Sequence, residues 1–332
     1  MDDQAGVRAG PSTGYAVELD RFEFAIICAL PREFDAVEVS LDEIYDQTPV
    51  QNVNDSNFYK TGRIGPFNIV LACLPEMGKE SAASAASSLQ ISFPSISLTL
   101  VVGICGGVPF PAPGTELILG DVVMSHQVLK FDFGRQYPDR FEQRGGVQDT
   151  LDRSNRSIRS LISGLQINSS RVEFQEMHTR YLQDVGEKGS IWQYPGVDQD
   201  RLFPSSFDLK DTSKSTDSEE DLVERHRLTG GDNPKPRLHC GPIGSTDTVM
   251  KSAKHRDDLA QGSQLVGFEM EGSGVCNNLS CIIIKGACDY ADSHKTKVWQ
   301  DYAAASAACA TKSFLEFLAT KKCECQRGSH SG

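Results

Sequence analysis

Residues 266–293 read VGFEMEGSGVCNNLSCIIIKGACDYADS, and the fold is decided in this stretch. It holds two short apolar runs, each ending in acid. The first closes on Glu269-Met270-Glu271 and passes straight into Gly272-Ser273-Gly274. The second, Cys281-Ile282-Ile283-Ile284, leads through Lys285-Gly286-Ala287-Cys288 to Asp289. Short runs rich in β-branched residues suit strands buried on both faces, as in parallel sheets. In open α/β sheets, ligands bind just beyond the carboxyl ends of such strands. Carboxylates at the ends of two neighbouring strands therefore suggest a site rather than a solvated edge.

Outward from this stretch, strand and helix signals alternate. The expectation is α/β: a single three-layer domain, its central mixed, twisted sheet flanked by helices. Residues 22–29 form an apolar first strand. Leu30-Pro31-Arg32-Glu33 then turns into a helix carrying Phe34, Val37, Leu41 and Ile44 at helical spacing, with Pro31 suited to its first turn. Residues 58–63 and 67–74 read as a hairpin through Gly65-Pro66. Gly78 opens an Ala/Ser-rich helix whose small residues would let it lie close against a sheet. Residues 98–102 are a buried strand ending in Gly103-Ile104-Cys105-Gly106-Gly107, and Gly120-Asp121 turns into another. Helical patterns cover 151–167 and 172–185, strand signals return at 237–243, and 299–318 is a long Ala-rich helix. Residues 1–20 read as a flexible leader and 321–332 as a flexible tail, leaving 21–320 as the domain. Within it, 208–233 is so charge-dense and so poor in apolar residues that it reads as a flexible surface insertion.

The 332 residues suffice for one large α/β domain, and 39% hydrophobic with 23% charged residues supports a sizeable core. A net charge of -12 and a pI near 5.1 argue against nucleic acid or an anionic membrane surface as partner, but not against a small phosphorylated ligand. No run reaches the roughly 20 apolar residues of a membrane span, and the N-terminus lacks the apolar core of a secretory signal. The 10 cysteines are scattered, several inside apolar runs (Cys28, Cys73, Cys281), without the paired spacing of a zinc site. Buried, reduced thiols in a cytoplasmic protein are expected.

The glycines of 103–107 follow a strand, where backbone N–H groups can face an anion or a ribose, although a tight turn with no ligand has the same composition. They do not match G-x-G-x-x-G, and no G-x-x-x-x-G-K-[ST] occurs, so dinucleotide and P-loop readings are weak. Glu271, in the first turn of a helix beginning GSGV, is favourable there on electrostatic grounds alone. An ionised carboxylate also suits two hydrogen bonds from a vicinal diol. Asp289 could be a mere cap. Its place directly after a buried Ile run would instead desolvate it and raise its pKa, making it a general acid near neutral pH. Glu33 occupies another first turn. Singly, each reads as structural; their joint placement at strand ends points to a site.

These pieces resemble the nucleoside phosphorylase/hydrolase superfamily, which includes purine nucleoside and uridine phosphorylases and the methylthioadenosine/adenosylhomocysteine nucleosidases. The likeness runs from about Phe22 to Leu318. It rests on ICALPREFDAV, MGKESAA, VVGICGGVP, LGDVVMSHQV, FDFG, GFEMEGSGV and, most specifically, KGACDYADSHKTKVWQDYAAASAA. It looks most like the fungal branch, whose members occur alone or as N-terminal domains of ankyrin- or NACHT-containing proteins. The resemblance implies that Asp289 protonates purine N7 and that Glu271 grips the ribose hydroxyls, with Met270 packed against the sugar. It places Val249 and Met250 near the base, has Glu33 activate water as in the nucleosidases, and sets Gly103, Cys105 and Gly106 beside the site. No metal or organic cofactor is implied. A purine nucleoside is the expected small-molecule partner, and a homo-oligomer is expected, since neighbouring subunits of this family often complete the site.

This chain departs from the family at telling places. Where phosphorylases commonly carry an Arg two residues before the motif's first glycine and a Ser or Thr just after it, it has Val101 and Ile104, which favours water over phosphate as nucleophile. Cys288 replaces the usual Ser before the acid, and Gly272-Ser273-Gly274 replaces an Ala-rich helix start. The expected activity is purine nucleoside N-ribohydrolysis of the inosine, guanosine or adenosine class. A phosphorylase using Arg32, Lys79 or backbone amides is the near alternative. A non-catalytic nucleoside-sensing module is the distant one.

Overall fold

The computed structural model of the protein describes residues 19–46, 55–132, 134–139, 141–143, 150–151, 156–206, 222–230 and 233–328. Residues 1–18 of the expected leader, 208–221 and 231–232 of the expected insertion and 329–332 of the expected tail lie outside them. Strand β1 (Phe22–Cys28) feeds helix α1 (Pro31–Ser40), followed by β2 (Glu43–Ile44) and the hairpin of β3 (Phe58–Ile64) and β4 (Phe67–Cys73). Helix α2 (Lys79–Ser92) leads to β5 (Leu98–Gly107), β6 (Val122–Ser125) and β7 (Val128–Lys130). A small ribbon of β8 (Gly134–Gln136) and β9 (Phe141–Gln143) precedes β10 (Thr150–Leu151), α3 (Arg156–Leu165) and α4 (Asn168–Lys188). The C-terminal part holds β11 (Leu238–Cys240), β12 (Ile243–Ser245), α5 (Ala253–Ser263), β13 (Gly267–Glu269), α6 (Gly272–Cys276), β14 (Cys281–Asp289) and α7 (Gln300–Gly328).

Apart from the β8–β9 ribbon, the described strands form one mixed sheet whose main path runs β10-β7-β12-β13-β5-β1-β4-β3-β2, with β14, β6 and β11 branching from β5. β5 is its hub. It pairs in parallel with β1 and β14, and its last residues pair antiparallel with β13. The apolar runs of β1, β5 and β14 are near-continuous because both sheet faces are covered. Ala25, Ile27, Val101 and Ile283 pack in one layer with residues of α2 and α6. Ile26, Leu100, Val102, Ile282 and Ile284 pack in the other with residues of α1 and α7. Burying each such Ile or Val contributes about 1.5–3 kcal/mol, so the strands that end at the site are among the most firmly held.

Four departures from expectation have local causes. β5 does not stop at Val102 but runs through Gly107. Besides packing in the layer on the sheet, the small face of α2 meets α6, so closely that a Cβ on Gly274 would fall 2.2 Å from the Lys79 carbonyl oxygen. The last helix continues to Gly328, since no Gly or Pro interrupts residues 319–327. Cys276 and Cys281, expected as thiols, form a disulfide across the turn from α6 to β14, where their Cα atoms lie 5.6 Å apart. No helix among the described residues is long and apolar enough to cross a membrane.

Candidate active site

Residues at the ends of β1, β5, β13 and β14 line a cleft of about 220 Å³, and the three expected carboxylates, Glu33, Glu271 and Asp289, meet in it. β13 and β14 are not neighbours, contrary to expectation. β5 lies between them, and its glycines let the acids approach. A Cβ on Gly103 would fall 2.2 Å from Glu33 Oε1. On Gly106 it would fall 3.0 Å from Asp289 Oδ1 and 2.9 Å from the Ala291 Cβ. These glycines thus make room for carboxylates rather than present a row of N–H groups to an anion: the Ile104 N–H already donates to Glu33 Oε1 at 2.8 Å.

Glu33 is 2% exposed. From the first turn of α1, its Oε2 accepts the Ala29 and Leu30 N–H groups at 2.9 Å each, satisfying donors a helix start leaves open. The same side chain therefore caps α1 and bridges to β5. Burial pushes its carboxyl above the usual range, against the opposing pull of Lys285 and with a further push from Glu271. A rigid carboxylate raised in this way is suited to accept a proton near neutral pH.

The Glu269-Met270-Glu271 triplet divides its work. Glu269 Oε2 accepts from the Glu271 and Gly272 N–H groups at 2.9 and 2.8 Å, so it, and not Glu271, caps α6. Glu271 makes no capping bond; its Oε2 accepts instead from Lys285 Nζ at 2.9 Å, and Glu269 Oε2 lies 3.8 Å from the same nitrogen. Lys285, on β14, is 1% exposed. Burial works to lower its pKa, but Glu271, Glu33 and Glu269 more than offset this and raise it. The reading of the sequence assigned Lys285 no part. The signal was there: a lysine inside a strand buried on both faces needs carboxylate partners.

Asp289 ends β14 beside a register shift in its pairing with β5. Its Oδ1 accepts the Ala291 N–H at 2.8 Å, Ala291 having left-handed backbone (φ 53°), and lies 3.0 Å from Lys295 Nζ. Cys288 Sγ is 3.5 Å from Oδ2. The sequence places Asp289 directly after a buried Ile run; the structure adds a cation beside it. Lys295 is the second residue that sequence reasoning passed over. Burial pushes the Cys105 and Cys288 thiols up, so both line the cleft as neutral groups.

Met270, Val249 and Met250 also line the cleft, Val249 at its exposed rim and Met250 packed with Phe131 and Phe268. Arg32 and Lys79 do not. Arg32 pairs with Asp301 on α7 at 2.7 Å, and Lys79 is held between Asp132 and Asp247. Lys295 is the one cation in the wall among the described residues.

Behind Asp289, Tyr290 is clamped. Its hydroxyl donates to Asp200 at 2.5 Å and accepts from Arg225 at 2.7 Å, while Arg256 donates to its carbonyl at 2.7 Å. Arg225 also pairs with Glu116, and Arg227 with the fully buried Asp121, which meets His239 at 2.8 Å. Burial alone would raise the Asp121 carboxyl, but His239 and Arg227 hold it below the usual range. Both arginines belong to the 208–233 stretch. Where 222–230 is described, these charges anchor it, together with Val223 packed against the core.

A sequence profile described as the phosphorylase superfamily matches residues 23–319. The chain belongs to the phosphorylase superfamily. A nucleotide-binding leucine-rich repeat (NLR)-like protein of Hyaloscypha variabilis is 32% identical over 302 residues, 89% of this chain but 29% of that protein. The chain thus spans under a third of that relative's length. Among solved structures, futalosine hydrolase of Helicobacter pylori superposes with a TM-score of 0.55 at 14% identity, covering 89% of this chain and 98% of that one. The 5'-methylthioadenosine/S-adenosylhomocysteine nucleosidase of S. pneumoniae gives 0.54 at 18%, covering 89% and 99%. At such identities the likeness to these structures is one of fold, and the superfamily's α/β architecture is the one described above.

Proposed function

We propose that the protein is a purine nucleoside N-ribohydrolase, releasing free base and ribose from nucleosides of the inosine, guanosine or adenosine class. The observation that carries this reading is the convergence of Glu33, Glu271 and Asp289 in one cleft whose single lining cation among the described residues, Lys295, is bound to Asp289. Of the donors a phosphorylase would use for phosphate, Arg32 and Lys79 are engaged elsewhere, and the Ile104 N–H is given to Glu33. Breaking the N-glycosidic bond develops positive charge on the ribose and negative charge on the departing base. Glu271 accepts hydrogen bonds from the 2′ and 3′ hydroxyls and offsets the sugar's charge, held in place from below by Lys285. Asp289 delivers a proton to purine N7. Glu33 takes a proton from the attacking water on the other face, a division of labour chemically like that of inverting glycosidases. The nucleosidase and hydrolase names of the structural neighbours agree with water as nucleophile. A homo-oligomer in the cytoplasm, working without metal or organic cofactor, completes the proposal.

A second reading, a nucleoside-responsive module within a larger protein, is favoured by the likeness to the NLR-like relative. Incubation with inosine, guanosine and adenosine separates the two. A hydrolase releases free base, and Asp289→Asn and Glu271→Gln each lower turnover by about 10²–10⁴-fold. Saturable binding of a nucleoside by the wild type with no base released would reject the hydrolase in favour of the module.

A further inference from the structure

Lys295 sits on the loop between β14 and α7, and this loop is pinned on both flanks. The His294 ring stacks on Phe203 with centroids 4.0 Å apart, and Trp299, fully buried, donates its indole N–H to the Gln199 carbonyl at 2.8 Å. Asp292 Oδ1 accepts the His294 N–H at 2.9 Å and fixes the bend. From that bend the lysine turns back into the cleft, its side chain 22% exposed, and places Nζ 3.0 Å from Asp289 Oδ1. A long lysine on a surface loop ordinarily extends into water. Here a rigid loop aims it at the acid that faces the leaving base.

We infer that Lys295 is the proton reservoir of Asp289, a positioning residue that recharges the acid rather than a mere counter-ion. This rests on the hydrolase reading. In an ammonium–carboxylate pair Asp289 has no proton to give, so the reactive form is the neutral pair. One Nζ–H bond breaks with its electrons left on nitrogen, and an O–H bond forms on Asp289. As the C1′–N9 bond breaks and its electrons move into the purine, that O–H proton passes to N7, and Asp289 is a carboxylate again. Water adds through oxygen to C1′ and loses a proton to Glu33. Neutral Lys295 regains its proton from solvent and Glu33 releases one, so the balance is nucleoside plus water to ribose plus base.

The discriminating variant is Lys295→Arg, because a guanidinium preserves the ion pair but does not give up a proton in proteins. The discriminating substrates are inosine, whose base must be protonated to leave, and 4-nitrophenyl β-D-riboside, whose leaving group departs as a stable anion. Lys295→Arg is expected to lose about 10²-fold or more of kcat on inosine, the scale of general acid catalysis, and to keep nitrophenyl riboside turnover within about 3-fold of wild type. Retained nitrophenol release reports that fold, Glu33 and Glu271 are intact. Inosine turnover within about 3-fold of wild type would overturn the proposal, leaving Lys295 acting by charge alone. An equal loss on both substrates would overturn it too, assigning the residue to structure. A wild-type protein that cleaves neither substrate removes the hydrolase reading itself, and this inference with it.

Discussion

Replacing Lys285 by Met keeps the length of the side chain and removes one buried positive charge. In the wild type that charge lies 2.9 Å from Glu271 and 3.8 Å from Glu269, with Glu33 near enough to raise its pKa. The loss is therefore not one surface ion pair, worth about 0–1 kcal/mol. It strands buried carboxylates, and breaking such a pair costs about 3–5 kcal/mol. At about 2 °C per kcal/mol for a chain of this size, the melting temperature should fall by about 6–10 °C. The dependence on pH has a definite sign. Glu33 and Glu269 have folded pKa values raised above their unfolded ones, chiefly by burial. Such a carboxyl destabilises the fold above its folded pKa, and that penalty disappears as pH falls toward the unfolded value near 4.3. Without Lys285 to oppose them these shifts grow, so the deficit of Lys285→Met should shrink between pH 7 and pH 5. Urea melts of wild type, Lys285→Met, Glu271→Gln and the double variant form the assay. The double variant should be more stable than Lys285→Met by about 1–3 kcal/mol, because it removes a stranded charge. A Lys285→Met deficit under about 1 kcal/mol at pH 7, or one that grows on acidification, would refute the electrostatic account of the buried cluster.

Other outcomes follow from the same geometry. Gly103→Ala puts a methyl carbon where the Glu33 carboxylate sits, and so should lower kcat by about 10²-fold or more with a much smaller effect on KM; steady-state kinetics decide. Asp121→Asn leaves Arg227 with a neutral partner and should cost about 3–5 kcal/mol in urea melts, although Asp121 is outside the cleft wall. Because the folded pKa of Asp121 is depressed, its contribution is present above about pH 4 and is lost as pH falls through the folded value. The variant should therefore narrow the gap to wild type in acid.

Much of the lining of the candidate site was legible because its carboxylates sit at or near strand ends. The VGFEMEGSG and IIIKGACD runs announce buried strands, and Asp289 and Glu271 fall where such strands release their last residues. Glu33 was legible only as a first-turn acid. That it crosses to β5 depends on Gly103 lacking a side chain, a long-range fit that periodicity does not report. The roles of Glu269 and Glu271 were indistinguishable in sequence, two glutamates on either side of one methionine; the fold separates them, Glu269 accepting the N–H groups at the start of α6 and Glu271 accepting from Lys285. Polar composition hid the contacts of 222–230, the part of the 208–233 stretch that carries Arg225 and Arg227. Arg225 and Arg227 look solvated until Asp121, Glu116 and Tyr290, distant in sequence, supply their partners. Lys295 was hidden for the same reason, since a lysine in DSHKTK reads as loop surface unless the loop's bend is known.

The central claim is that water, not phosphate, is the nucleophile in this cleft. It is tested most directly by chromatographic product analysis after incubation with inosine, guanosine, adenosine and methylthioadenosine, each with and without phosphate. Free base together with free ribose, at a rate indifferent to phosphate, is the predicted result. Turnover that requires phosphate and yields ribose 1-phosphate would contradict it, and would mean that Val101 and Ile104 do not disarm phosphate binding.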